Sequence, residues 1–141
     1  MLTYNKKVIE FDFPGVWSFW DFQYPNNTDP VEDWYQELSE EAQFHFDGLL
    51  KDIHKTANPI HWVGFRRFLK GKSQQERIWE LEFKADKRQY RVLGCFGNAR
   101  KQAILLVGCY HKQRVYTPPD ALDLAYKRRK AGVNPIFETT C

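Results

Sequence analysis

The sequence lacks the segments that direct a chain into or across a membrane. No part of its 141 residues approaches the roughly 18 uninterrupted apolar residues of a membrane span. The N-terminal stretch 1–13 has neither the apolar region nor the small-residue cleavage site of a signal peptide. From these two absences we expect a cytoplasmic protein that does not bind membranes.

The sequence also lacks the common motifs of metal, phosphate and acyl chemistry. Its three cysteines, Cys95, Cys109 and Cys141, form no C-x-x-C pair, and their odd number argues against a disulfide framework, so we expect free thiols. The four histidines show no metal-ligand spacing with cysteine. There is no Gly-rich phosphate loop, no G-x-S-x-G and no H-E-x-x-H. We therefore expect neither a metal site nor a cofactor.

Length and composition indicate one folded domain. A chain of 141 residues can bury a core but is too short to divide comfortably into two, and an aromatic content of 16% is higher than a disordered chain would have. No repeat or Gly/Ser linker marks an internal boundary. We assign residues 30–132 to the core, 1–29 to one or more N-terminal strands of the same domain, and 133–141 to a C-terminal tail.

Charge is distributed unevenly along the chain. Residues 1–60 have a net charge of −7, whereas residues 61–141 have a net charge of +10. Such a division indicates one surface that meets a polyanion and another that meets a basic partner or none. Solvated faces whose charges happen to segregate are the alternative.

Three helices are predicted from their N-terminal caps. Asp29 begins an Asp-x-x-Glu capping box, and Ser39 restarts the helical spacing, which continues until Asn58. Thr117, followed by two prolines, caps a last helix that Gly132 ends.

Strands are predicted where the apolar period changes to two. The segments 78–83, 90–96 and 103–110 form an antiparallel meander, and the last is apolar on both faces and therefore central. A strand, a turn and a second strand are expected within residues 7–24. The expected fold class is α+β, a curved antiparallel sheet with helices packed on one face.

Arg91 lies in the middle of a predicted strand with apolar neighbours. If Asp86 and Lys87 form a two-residue turn, paired residue numbers sum to 173 and Arg91 faces Glu82 across the ladder. Two interpretations stay open: a structural ion pair, or a phosphate-binding arginine held in place by its acidic neighbour.

Polar side chains follow the central strand directly. His111 and Lys112 come first, then Arg114 and Tyr116. RNA self-cleavage needs a base for the 2′-hydroxyl, a cation for the phosphate and an acid for the leaving oxygen. We take His111 and Tyr116 as acid–base candidates, with Lys112 and Arg91 as stabilisers of the transition state; an incidental structural histidine is the alternative.

Further cations could bind RNA along a groove. They precede the meander, follow the central strand or lie in the last helix, and solvated surface charge is the alternative for all of them. The candidates are Arg66, Arg67, Lys70, Arg114, Lys127 and Arg128.

Several of these runs together resemble a known family. They are Ile78-Trp79-Glu80-Leu81, Tyr90-Arg91-Val92-Leu93, Ile104-Leu105-Leu106 leading to Tyr110-x-Lys112, Thr117-Pro118, and Ala125 with Arg128 or Arg129. On these residues the chain resembles the RelE/ParE superfamily of toxin–antitoxin toxins, in particular the HigB-like, phage-derived branch, over about residues 30–130.

The resemblance implies a RelE-like fold and a specific activity. Members are typically small endoribonucleases that cut mRNA, many of them on the ribosome, without a metal, and a cognate antitoxin holds them inactive. Arg91 matches the family's strand arginine and Lys112 the first lysine of its aromatic-x-Lys-Lys run. The implied partners are mRNA, the ribosome and an antitoxin, expected to be a small helix-turn-helix protein.

The sequence departs from the family pattern at three positions, each of which loses a cation. Glu82 stands where the family has arginine, Gln113 where it has a second lysine, and Tyr116 where it has the lysine before Thr-Pro. These departures support an alternative function: a non-enzymatic, ParE-like inhibitor of a protein target such as gyrase, or an inactive phage-derived member that serves as a binding module.

Overall fold

The computed structural model describes residues 4–6, 15–67, 77–97, 100–112 and 115–132. Within these ranges the chain forms strands, α-helices and one short 3-10 helix. The elements in chain order are β1 (Tyr4–Lys6), β2 (Ser18–Phe22), α1 (Pro30–Glu37), α2 (Glu40–Ile53), the 3-10 helix (Pro59–His61), β3 (Phe65–Arg67), β4 (Trp79–Ala85), β5 (Arg88–Phe96), β6 (Gln102–Lys112), β7 (Val115–Thr117) and α3 (Ala121–Gly132). The predicted α+β class is confirmed.

The hairpin between β4 and β5 has the predicted register. Asp86 and Lys87 have φ angles of 53° and 60°, the left-handed conformation that a two-residue turn with the twist of a hairpin requires. Glu82 is therefore paired with Arg91. A local turn thus decides which side chains meet several residues away.

The first two helices begin where their caps predict. The Asp29 side chain accepts a hydrogen bond from the amide of Glu32 at 3.0 Å, and the Ser39 hydroxyl accepts one from the amide of Ala42 at 3.1 Å. These bonds satisfy amides that have no partner inside a helix. The α2 helix ends at Ile53, earlier than the predicted stop at Asn58.

The predicted start of the last helix at Thr117 is wrong. Thr117 belongs to β7 and is paired with Tyr110 of β6, and α3 begins only at Ala121. A capping sequence is a local signal. Here Thr117 pairs with the central strand instead of capping the helix.

The sheet is mixed rather than purely antiparallel, because β2 runs parallel to β6. The strand order is β1-β2-β6-β5-β4-β3, and β7 pairs with the end of β6. Strand β6 is thus flanked by β5 on one edge and by β2 and then β7 on the other. This confirms the central position predicted from its apolar composition.

The helices cover both faces of the sheet, which corrects the expected packing on one face. Helices α1 and α2 pack through residues such as Val31 and Phe46 on one face, whereas α3 packs through Ala121 and Ala125 on the other. The reason is that β6 is apolar on both faces, with Ile104 and Leu105 both fully buried. Each face therefore needs its own apolar cover.

Some expectations fall outside the described residues. Strand β2 agrees with the second strand expected within residues 7–24, whereas 7–14 and the tail 133–141 lie outside the described ranges. Cys109 is a buried free thiol, but Cys95 is disulfide-bonded, so the expectation of free thiols is wrong for it. Among the helices of the described ranges, none is long and apolar enough to cross a membrane.

Two glycine substitutions test this packing. A Cβ at Gly108 of β6 would lie 2.0 Å from the Trp34 ring of α1, and that ring already contacts Phe46 and Tyr90. We expect Gly108→Ala to lower the free energy of unfolding by about 1–3 kcal/mol through overpacking. Urea denaturation measures the change.

Gly48→Ala is the matched control. A Cβ at Gly48 meets nothing within 4 Å, and the residue is exposed in α2. Alanine should raise the free energy of unfolding by roughly 0.5–1 kcal/mol because it loses less backbone freedom on folding. If Gly108→Ala were tolerated as well as Gly48→Ala, the packing of α1 on β6 would be contradicted.

Candidate functional site

Five strands bring polar side chains together on the face of the sheet that α3 packs against. Strand pairing sets Arg66 opposite Glu80, Glu82 opposite Arg91, and His111 opposite Tyr116. Residues opposite each other share a face, and residues two apart along a strand share it too. We call these six residues the polar cluster: Arg66, Glu80, Glu82, Arg91, His111 and Tyr116.

Arg91 lies at the centre of the polar cluster with only 5% of its side chain exposed. Its Nη2 lies 2.9 Å from Glu82 Oε2 and donates a hydrogen bond to Gln89 Oε1 at 3.0 Å. Its Nη1 donates to the backbone carbonyl of Tyr90 at 3.1 Å, and its Nε lies 3.5 Å from Glu80 Oε1. A buried guanidinium requires such compensation. This geometry supports the structural ion pair between Arg91 and Glu82.

Glu80 is the residue of the cluster that the sequence analysis did not single out. It is only 5% exposed, and its two carboxylate oxygens hold different strands: Oε1 lies beside Arg91 of β5, and Oε2 accepts a 2.6 Å hydrogen bond from the Tyr116 hydroxyl of β7. The signal was present, because Glu80 is two residues from Glu82 and so shares its face. The buried carboxylate therefore positions both the guanidinium and the phenol.

His111 packs against Tyr116, with ring centroids 4.5 Å apart. Burial lowers the pKa of His111 below its ordinary value of 6.5, and the positive charge of Arg91 lowers it further, while Glu80 and Glu82 act in the opposite direction. The imidazole is consequently neutral near pH 7. A neutral imidazole can accept a proton, which is the property of a general base.

Tyr116 is fixed as a hydrogen-bond donor. Burial, the hydrogen bond to Glu80 and the negative charge of Glu80 all raise the pKa of its phenol. A phenol that holds its proton so firmly is a poor general acid, so the geometry favours a positioning role for Tyr116 over the acid–base role considered from the sequence. The Tyr116 ring holds the position of the His111 ring that it packs against.

The remaining sequence candidates lie elsewhere. Lys112 is exposed at the end of β6, where strand alternation directs it to the opposite face from His111. Arg128 donates to the Tyr24 hydroxyl at 3.0 Å and to the Leu106 carbonyl at 2.8 Å, so it anchors α3 to the sheet. Lys127 is exposed on α3.

Three further candidates for RNA contact have little or no described structure. Arg67 lies in β3, where its backbone is paired with Trp79. Lys70 and Arg114 are outside the described residues. The structure therefore brings Arg66, Arg91, His111 and Tyr116 together and leaves Lys112, Lys127 and Arg128 outside the cluster.

A cleft of about 380 Å³ opens beside the polar cluster. It is lined by residues of β3, β4 and β5 and by the loop before β3. Its polar walls come from Arg66, Glu82 and Arg91 of the cluster and from Lys84 and Gln89 beside them. The lining residues include Val63, Gly64, Arg66, Glu82, Gln89 and Arg91. In the described part of the chain, no group of three or more His, Cys, Asp or Glu side chains is arranged to hold a metal ion.

Comparison with known proteins gives one match. Residues 33–130 match the model of a family described as Phage derived protein Gp49-like (DUF891). That range is well over half of the chain and contains every member of the polar cluster. No curated protein and no solved structure matches the chain significantly.

The environment of His111 predicts a measurable pH dependence. The unfolded chain binds a proton at His111 more tightly than the folded chain does, so stability should fall as the pH drops from about 6.5 through the lowered pKa. In the His111→Gln variant, the part of this loss of stability that comes from His111 should be absent. The test measures the free energy of unfolding of the wild type and of the variant by urea denaturation between pH 5 and 8, and compares the two at each pH. An NMR titration of the imidazole reads the pKa of His111 directly. A His111 midpoint above 6.5 would contradict the burial described here.

Proposed function

Because the chain belongs to the Gp49-like family of phage-derived proteins, a toxin–antitoxin-related family within the RelE/HigB-like toxin superfamily, we propose that it is the toxin of a toxin–antitoxin pair. We assign it to the HigB-like branch. Its proposed activity is metal-independent cleavage of mRNA on the ribosome, which stops translation and growth.

One observation supports this proposal: a neutral imidazole is held on a framework of buried charges, in the strand position opposite Gln89, which lines the cleft. His111 is held by Tyr116, which is held by Glu80, which lies against Arg91. Catalytic groups are effective when neighbouring contacts fix their geometry. A chain of contacts across β4, β5, β6 and β7 fixes this imidazole.

The proposed reaction is attack of a 2′-hydroxyl on the adjacent phosphate. His111 takes the proton of the hydroxyl, the 2′-oxygen bonds to phosphorus, and the bond from phosphorus to the 5′-oxygen breaks. The leaving 5′-oxygen takes a proton from water, so the products are a 2′,3′-cyclic phosphate and a 5′-hydroxyl. Negative charge that develops on the phosphate is stabilised by the field of Arg91 and by exposed cations at the rim. Arg66, whose side chain is 65% exposed, is the exposed cation of the polar cluster, whereas Lys112 projects to the opposite face of β6.

The proposed partners follow from charge. Exposed cations such as Arg66, Lys112 and Lys127 are available for phosphates of mRNA or ribosomal RNA. The antitoxin, proposed to be a small helix-turn-helix protein encoded beside this chain, would be acidic where it covers the cations. With these proposed partners, the proposed location of the protein is the cytoplasm.

A second function is favoured by the ion pairs of Arg91. Glu80 and Glu82 balance Arg91 and Arg66, so the polar cluster has no net charge if His111 is neutral. A site for a phosphate usually keeps an excess of cations. A ParE-like inhibitor of a protein such as gyrase, or a binding module without activity, would not need that excess.

Substitution of His111 tests the proposed base. Induced wild-type protein should arrest growth, and His111→Gln should lower the rate of RNA cleavage by about 10²–10⁴-fold because the proton acceptor is lost. His61→Gln is the matched control, since His61 is exposed in the 3-10 helix and is not a member of the polar cluster. Growth curves and primer extension after a short induction measure both effects.

The same experiment separates the two candidate functions. Defined transcript ends that appear with the wild type and with His61→Gln, but not with His111→Gln, require a nuclease with His111 in its site. Growth arrest without new transcript ends, accompanied by a DNA-damage response, would refute the nuclease and support an inhibitor of gyrase.

Removal of divalent cations tests the metal independence. Cleavage of an RNA oligonucleotide or a translated mRNA should continue at an unchanged rate after the protein is treated with EDTA, because His111 and the cations supply the proposed chemistry. For ribosome assays the magnesium that ribosomes need is restored after dialysis of the protein. Activity that is lost on chelation and regained with one transition metal would refute a metal-independent reaction.

A further inference from the structure

The cleft contains a carboxylate oxygen that the proposed reaction does not use. Glu82 lines the cleft with 33% of its side chain exposed. Its ion pairs with Arg91 and Arg66 both use Oε2, at 2.9 Å and 3.8 Å. Within the described residues, Oε1 makes no hydrogen bond or ion pair. A carboxylate has about four acceptor positions, so acceptor capacity is left facing the cleft.

The cleft is lined by the cations Arg66, Lys84 and Arg91 and by one carboxylate, Glu82, which gives it a group suited to a base. A carboxylate repels a phosphate, whereas it accepts hydrogen bonds from a neutral group that carries N–H donors. Val63, which is 62% exposed, adds an apolar surface for the face of a ring. A volume of about 380 Å³ lies within the usual range for small-molecule sites and is sufficient for one nucleotide.

The wall that carries Glu82 is held closely by the loop before β3. Gly64 has φ 77°, and a Cβ there would lie 2.5 Å from the Glu82 carbonyl oxygen. The Glu82 amide donates to the Gly64 carbonyl at 3.0 Å. Only a residue without a side chain permits this approach in this backbone conformation. The position of Glu82 in the cleft is therefore set by backbone contacts.

We propose that the cleft is a subsite for one guanine base of the RNA and that Glu82 selects it. The inference rests on the proposed nuclease function and names the part of the substrate that the cleft would bind. Guanine presents two adjacent donors, N1–H and the 2-amino group, to a carboxylate. Its O6 acceptor lies next to them and can face the amide nitrogen of Gln89, whose oxygen is already bound to Arg91.

Other bases match the carboxylate less well. Adenine and cytosine place an acceptor nitrogen beside their amino group, and a carboxylate repels that lone pair. Uracil has a single N–H between two carbonyl oxygens. An unmatched acceptor facing a carboxylate costs binding energy as well as losing a hydrogen bond.

Nucleotide binding to the purified full chain tests the subsite without any cleavage. GMP, IMP, AMP and UMP carry the same phosphate, so differences between them report the base alone. IMP lacks only the 2-amino group and should bind at least about tenfold more weakly than GMP, the factor expected for one hydrogen bond to a charged group. NMR titrations should move the amide signals of Gly64, Glu82 and Gln89. Equal affinities, or shifts remote from the cleft, would overturn the proposal.

Two variants identify the selecting residue. Glu82→Gln keeps the size of the side chain and an acceptor for Arg91, and it should remove the preference for GMP over IMP. Lys84→Gln changes another residue that lines the cleft and should keep the preference. Retention of the preference in a folded Glu82→Gln protein, judged by circular dichroism, would exclude Glu82 as the selector.

Mapping of cut sites separates this inference from the proposed function. Selective GMP binding without RNA cleavage would sustain the subsite while refuting the nuclease. RNA cleavage with no guanine at a constant position from the cut, together with equal binding of the four nucleotides, would sustain the nuclease while refuting the subsite.

Discussion

The buried guanidinium of Arg91 is the constraint on which the polar end of the sheet depends. Glu82 pairs with it from the neighbouring strand, and Glu80, buried beside it, reaches Tyr116 on the short strand that closes the sheet. A charge inside a protein is tolerated only with its partners in place, and removal of one partner leaves an uncompensated charge at a cost of several kcal/mol. Side chains from β4, β5 and β7 are thus held in one arrangement by a single cation. His111, on the strand between β5 and β7, takes its environment from that arrangement.

The same pairing gives a structural role to Glu82, one of the positions at which the sequence departs from the pattern that it resembles. Glu82 replaces an expected arginine, and the buried charge it balances is the strand arginine that the pattern retains. Exposed positive charge is carried by Arg66 on the edge strand β3 and by Lys112 on the opposite face of β6 from His111. The centre of the cluster thus combines buried ion pairs with a neutral imidazole, and its exposed cation lies at the edge of the sheet.

Local signals in the sequence predicted much of the fold because their physical causes are local. Asp29 and Ser39 satisfy amides within three residues, and Asp86 and Lys87 form a turn whose length decides the register of Glu82 and Arg91. Where a local signal competed with a distant one, the prediction was wrong. Thr117 has the sequence of a helix cap, but the open edge of β6 pairs with it. No local signal predicted that β2 would join that edge in parallel or that α3 would pack on the second face, because these contacts link segments far apart in the chain.

For the candidate site, the amino-acid order alone determined which side chains share a face and which stand opposite each other. Strand alternation and a two-residue turn are enough to bring Glu82 to Arg91, and the apolar run of β6 is enough to place His111 at the end of a central strand. Only the tertiary structure decided that Arg91 is buried, that Glu80 joins it to Tyr116, and that Lys112 projects away from His111. Burial and its effect on a pKa depend on every segment that excludes water from a group, and those segments come from β3 to β7. The chemistry of the cluster is therefore a property of the assembled sheet.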